Sequence, residues 1–172
     1  MLPHRVVNPE VITTTADITT AGPEEISLLR AMAAANPRGR ARLCAHRDDD
    51  DLLHEMLIVL TGGTYIPPHR HNGKSESFHL IEGSLTVVVF DEDGTRLRRI
   101  DLAAPGQGRS FFYRLAAPFY HTVIPTSDFA VFHETTNGPF RRKETAYAPW
   151  APGENDDPTT QCRFIEGCLS DG

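Results

Sequence analysis

From Leu53 onward the apolar residues come in short runs separated by Gly, Pro, Asn or Asp, the texture of strands and tight turns and not of long helices. Met56 to Thr61 reads as one strand, bounded by Gly62-Gly63, and Ser77 to Glu82 as another, stopped by Gly83. Leu85 to Phe90 follows, then the turn Asp91-Glu92-Asp93-Gly94 and the strand Arg96 to Leu102. Ser110 to Leu115, Thr122 to Pro125 and Phe129 to Thr135 complete a set whose breaks are Pro105-Gly106, Pro118 and Asn137-Gly138-Pro139. So many short strands imply a sandwich or barrel that must protect its edges. The pattern predicts an all-β single domain.

Upstream the period changes. Pro23 suits a first helical position, and Ile26, Leu29, Met32 and Ala33 recur at three- to four-residue spacing, so residues 23 to 35 read as a short amphipathic helix ended by Asn36-Pro37. Residues 1 to 22 read as an extended arm or lead-in strand. The arginines at 38, 40 and 42 and the acidic run Asp48 to Asp51 read as solvated faces or loops. The expected organisation is an N-terminal arm with a short helix over 1–52, a barrel over 53–140, and a Pro-rich C-terminal arm over 141–172 packing on it. Around Trp150 the density of proline argues against a regular helix, and the indole is expected to pack outside the barrel or across a subunit contact.

A chain of 172 residues is about one domain's worth and long enough to bury a sizeable core. A net charge of −6 disfavours nucleic acid, whose binding needs clustered Lys and Arg. The longest apolar run is far short of a membrane span, and residues 1–15 lack the pattern of a secretory signal, so a cytoplasmic protein without membrane contact is expected. Cys44, Cys162 and Cys168 show no paired spacing and read as free thiols.

Candidate chemistry lies between Gly63 and Gly83. His69 and His71 are two apart, so in an extended segment both rings point to one side. Glu76 can reach the same point if the chain turns, and Asn72-Gly73-Lys74 supplies a turn signal. Two imidazoles and a carboxylate form half of a divalent-metal shell, and His121, on a facing strand, is the expected fourth ligand. Such ligands suit Fe, Mn, Ni, Zn or Cu and leave positions open for water or substrate.

The spacing Gly63, His69-x-His71, Glu76, Gly83 resembles the first motif of the cupin superfamily at each defining position. The second motif is partial: His121 holds the ligand place, while Ala116, Pro118 and Pro125 stand where Pro, Gly and Asn are common. More narrowly, the chain is similar over roughly residues 38–155 to the WbuC-type cupin-fold metalloproteins. The similarity rests on Tyr65-Ile66-Pro67-Pro68-His69-Arg70-His71, Lys74, Val89 to Gly94, Phe132, Glu134, Gly138-Pro139-Phe140 and Ala148 to Pro152. It implies a double-stranded β-helix or jelly-roll barrel around one metal per chain and leaves the substrate open. Thr136 stands where such proteins often carry Lys.

Parity along the strands sorts the remaining polar residues. Glu134 is in phase with Ala130 and Phe132, and a carboxylate on an apolar face is costly unless paired or used, so Glu134 is a candidate acid/base. Arg114 shares parity with Phe112 and is a candidate lumen-facing contact for an anionic substrate group. His79 and His133 should face outward, as should Arg70, which lies between two ligands. Tyr65, Phe78, Phe112, Tyr113 and Phe132 are expected in the core. The functions that follow are a metal-dependent enzyme acting on a small polar molecule, with Fe(II)-dependent oxidation ahead of isomerase, epimerase or lyase chemistry, or a non-catalytic module that binds a small ligand. Exposed strand edges suggest a homodimer.

Overall fold

A computed structural model describes residues 1–170. Two antiparallel-dominated sheets face each other. One has the order β1 (His4–Asn8), β2 (Val11–Thr14), β3 (Arg40–Cys44), β4 (Leu53–Thr61), β11 (Phe129–Asn137), β6 (Glu76–Glu82), β9 (Phe112–Leu115). The other runs β12 (Thr145–Tyr147), β5 (His69–His71), β10 (Tyr120–Pro125), β7 (Ser84–Phe90), β8 (Arg96–Ala103). Helix α1 (Pro23–Ala35) and helix α2 (Pro158–Leu169) complete the chain.

Alternation along each strand divides its side chains between two cores. Ile58 and Leu60 of β4, Ala130 and Phe132 of β11, Phe78 and Leu80 of β6, and Val87 and Val89 of β7 meet between the sheets. The opposite faces are also covered. Leu57, Val59 and Val131 pack against Leu29 and Ala33 of α1, whereas Val88 and Phe90 pack with Phe164 and Cys168 of α2. The result is helix, sheet, sheet, helix, with the inner core at one end of the space between the sheets. Trp150 sits in the outer layer beside α2, its ring 5.0 Å from Phe90 and its indole N–H donating to the Glu92 carbonyl.

The sequence pattern understated both arms. Residues 1–52 contain the helix where expected, but also β1, β2 and β3, which extend the larger sheet. β3 carries the arginines expected on a solvated face: in Arg40-Ala41-Arg42-Leu43, Ala41 and Leu43 are buried under α1 while the arginines take the other side. The C-terminal arm is irregular around Trp150, yet two elements flank that stretch. β12 pairs with β5, and α2 begins at Pro158 behind Asp157, whose carboxylate accepts from the Thr160 N–H. An N-cap Asp followed by Pro at the first helical position was a legible helix start.

Gly83 joins β6 to β7 with φ +72°, and a Cβ there would lie 2.0 Å from the Phe129 carbonyl oxygen. Gly63 has φ +83° with nothing within 4 Å of the same position. Both variants to alanine carry the left-handed penalty of about 1–2 kcal/mol, but only Gly83→Ala also forces backbone apart, for a total of roughly 2–5 kcal/mol. Urea denaturation should therefore show a much larger fall in midpoint for Gly83→Ala than for Gly63→Ala. Equal falls would mean that the close approach of the Phe129 carbonyl is not a constraint.

Candidate metal centre

The smaller sheet supplies the imidazoles. β5 is paired on both sides, with His69 opposite His121 of β10 and Tyr147 of β12, and His71 opposite Thr145. Because His69 and His71 are two apart, both rings leave the same side of β5, and the register brings His121 alongside them. Ring centroids are 4.9 Å apart for His69–His71 and 4.6 Å for His69–His121, and the ligating nitrogens of the three all lie within 4.8 Å of one another.

Each ring is oriented from behind. His69 Nδ1 lies 2.9 Å from the Pro67 carbonyl and His121 Nδ1 3.1 Å from the Phe119 carbonyl. A carbonyl only accepts, so both Nδ1 atoms donate and both neutral rings turn a bare Nε2 lone pair inward. His71 Nδ1 is held at 3.1 Å by the Thr145 hydroxyl. Outer partners of this kind fix the tautomer and aim of metal-ligating histidines. Thr145 lies outside the span read as barrel, and nothing in its sequence surroundings marked it.

The larger sheet supplies the carboxylates. Glu76, on β6 with Phe78 and Leu80, is buried and presents Oε1 2.9 Å from His121 Nε2 and Oε2 3.7 Å from His71 Nε2. The 2.9 Å contact does not form a directed hydrogen bond, and both atoms are buried without another partner. Two lone-pair-bearing atoms at that distance call for a positive charge between them, which a proton or a metal ion supplies. Burial is the largest influence on both groups and opposes charging, but their mutual attraction outweighs it, raising the His121 pKa and lowering that of Glu76. His69, with no carboxylate so close, is depressed to about 3 by burial and then by the other two rings. The donor set, the tautomers and the orphaned buried atoms all fit a divalent transition metal, with His69, His71 and His121 as one group and Glu76 against two of them.

Glu134 lies on the inner face of β11, opposite Met56 and Phe78 and diagonal to Glu76, which pairs with Thr136. It opens onto the cavity of about 940 Å³ that also reaches the three histidines and Glu76. Burial first, and then the Glu76 charge, push its pKa up to about 8. A carboxyl that keeps its proton near neutral pH is suited to donate and recover it.

Arg114 is placed otherwise than parity with Phe112 suggested. Both side chains are exposed, and the Arg114 guanidinium donates to the Ser75 hydroxyl outside the barrel. The inward residue of β9 is Tyr113, opposite Phe78 with ring centroids 5.4 Å apart. The apolar Phe112 misled the assignment of phase on a four-residue strand. His79 is exposed, as expected, and Arg70 faces away from the site to pair with Glu92 and cover the Tyr120 ring. The three thiols are free.

Among the described residues, no helix is long and apolar enough to cross a membrane. A protein-family model described as a domain of unknown function, DUF6016, matches residues 23–102. No curated protein matches the chain. Among solved structures, the chain is similar to protein SO0799 from Shewanella oneidensis at 14% identity and a TM-score of 0.54, over 65% of this chain and 75% of that one. The cupin domain of Cnp3 from Schizosaccharomyces pombe aligns at 10% identity and a TM-score of 0.45, over 58% and 64% of the two chains. The chain has a small all-β fold of two facing sheets, cupin-like in arrangement. Oxalate decarboxylase from Bacillus subtilis aligns at 20% identity and a TM-score of 0.47 over 57% of this chain, which spans 24% of that longer protein. At such identities the likeness is one of fold, and the chemistry of this protein has to be argued from its own residues.

Proposed function

We propose that the protein is a metal-dependent cupin enzyme acting on a small polar molecule, by mononuclear non-haem iron oxygenase chemistry. The observation that carries the proposal is the convergence of the ligating nitrogens of His69, His71 and His121 within 4.8 Å of one another, lining a cavity that also reaches the Glu134 carboxyl. His69, His71, His121 and Glu76 would hold the metal. Bound there, Fe(II) supplies sites at which O₂ and substrate meet. The protein's own part is to hold the four donors from outside, to line the approach with apolar side chains such as Ile58 and Phe132, and to move a proton at the Glu134 carboxyl. The closer likeness to WbuC-type proteins and a homodimeric state belong to the same proposal.

Metal analysis of protein purified with and without oxygen, followed by oxygen-uptake assays across small polar molecules, tests this. About one iron per chain and substrate-dependent uptake that disappears in His69→Ala is the expected result. Protein with no transition metal, unchanged by that substitution, overturns it. Glu134 itself favours a second reading, in which a Lewis-acid metal and a proton-shuttling carboxyl perform isomerisation, epimerisation or elimination on a carbohydrate-like substrate. Turnover with Zn or Mn and no oxygen uptake would select it.

A further inference from the structure

The inner face of the larger sheet continues past the barrel. In register across it lie Arg42 of β3, Ile58 of β4 and Phe132 of β11, all on one side, with Glu134 the next inward residue of β11. With strands about 4.8 Å apart, the Arg42 backbone sits roughly two strand spacings from that of β11, within reach of a long guanidinium side chain. Arg42 and the histidine group line the same cavity.

Most arginines at this mouth are already neutralised. Arg38 and Arg40 share Glu10 and Glu154, Arg47 pairs with Asp17, and Arg141 pairs with Asp50. Among the described residues no carboxylate pairs with Arg42. The Arg42 charge reaches Glu134 on the same sheet face and lowers its pKa, against the stronger effects of burial and Glu76. The Arg42 side chain also interacts with the Cys44 thiol on the same strand, and a planar guanidinium with five donors can still match a carboxylate bidentately on the wall of a cavity. Deeper in that cavity the buried Glu76 carboxylate repels a second anionic group.

On the footing of the metal-dependent activity proposed above, we infer that the substrate is a small monocarboxylic acid with an uncharged polar reacting end, and that Arg42 binds its carboxylate at the mouth of the barrel. The anion on Arg42 and the neutral end beside the histidines and Glu134 set the direction of binding. Arg42 is thus the residue that selects acids over neutral analogues.

The test uses the full chain, both metal-loaded and EDTA-treated, titrated by NMR with 3-hydroxybutyrate and with 3-hydroxybutyramide, its uncharged counterpart. Wild type should prefer the acid by about tenfold, Arg42→Lys by less, and Arg42→Gln hardly at all, with Arg109→Gln, on an exposed loop away from the cavity, behaving as wild type. Metal content should be the same in all four. A wild type that does not discriminate, or an Arg42→Gln variant that still does, overturns the assignment. The EDTA-treated arm separates the two proposals: a preference that depends on Arg42 there supports the carboxylate site even if metal binding itself fails, and loss of the preference only with the metal places recognition on the ion and not on Arg42.

Discussion

Replacing His121 with alanine is expected to reduce bound metal from about one divalent ion per chain to a trace after dialysis, a loss of at least ~100-fold in affinity, since disturbing even the outer partners of a metal ligand costs ~10–100-fold. His121 joins the two halves of the site. It is 1% exposed, sits opposite His69 in register, donates through Nδ1 to Phe119, and turns Nε2 towards Glu76 at 2.9 Å. Removing it takes a ligand from the group and leaves Glu76 buried without its partner. For that reason the metal-free variant should also be less stable than metal-free wild type, by about 3–5 kcal/mol, as when one member of a buried ion pair is deleted. Elemental analysis and denaturant titration read the two effects separately. His79→Ala is the control, because that ring is exposed and lies against Phe111 at 5.3 Å. A His121→Ala protein that retains one metal per chain would remove this residue from the centre.

The parts of this architecture that were legible are those in which period and turn chemistry agree. Glu76, Phe78 and Leu80 alternate with exposed or half-buried neighbours between a Gly-containing turn and Gly83, so β6 and the inward phase of Glu76 could be read directly. The same holds for Ala130, Phe132 and Glu134. Where the pattern failed, charge or brevity masked it. Arg40 and Arg42 made β3 look like a solvated run, although Ala41 and Leu43 between them carry the period of two and pack under α1. β9 has four residues, too few for the apolar Phe112 to reveal that its exposed side faces out. β12 has three, and its Thr145 acquires a role only through register with His71, a pairing between segments 74 residues apart that no local pattern encodes. Local sequence thus specifies which face a ligand takes, while long-range register decides which residues orient it.

Glu134→Gln is the substitution expected to affect turnover most selectively, lowering kcat by ~10²–10⁴-fold with little change in KM, the range typical of a lost acid/base group. Its effect on stability is open to measurement before any substrate is known. In the folded protein the Glu134 carboxyl is raised from 4.5 to about 8, by burial first and by Glu76 second, with Arg42 and His121 pulling the other way. The unfolded chain releases this proton near pH 4.5, whereas the folded chain holds it until about pH 8. Between those values the unfolded state binds fewer protons, so wild type loses stability as the pH rises. Glutamine stays neutral in both states and escapes that loss, while the buried histidines titrate in both proteins and the Glu134 charge is the smallest of the influences on His121. Thermal unfolding of EDTA-treated protein should therefore show the variant gaining on wild type from pH 5 to pH 8. A constant difference across that range, or a variant that falls behind as the pH rises, would mean that the Glu134 carboxyl is ionised in the fold and does not hold the proton that the proposed chemistry requires.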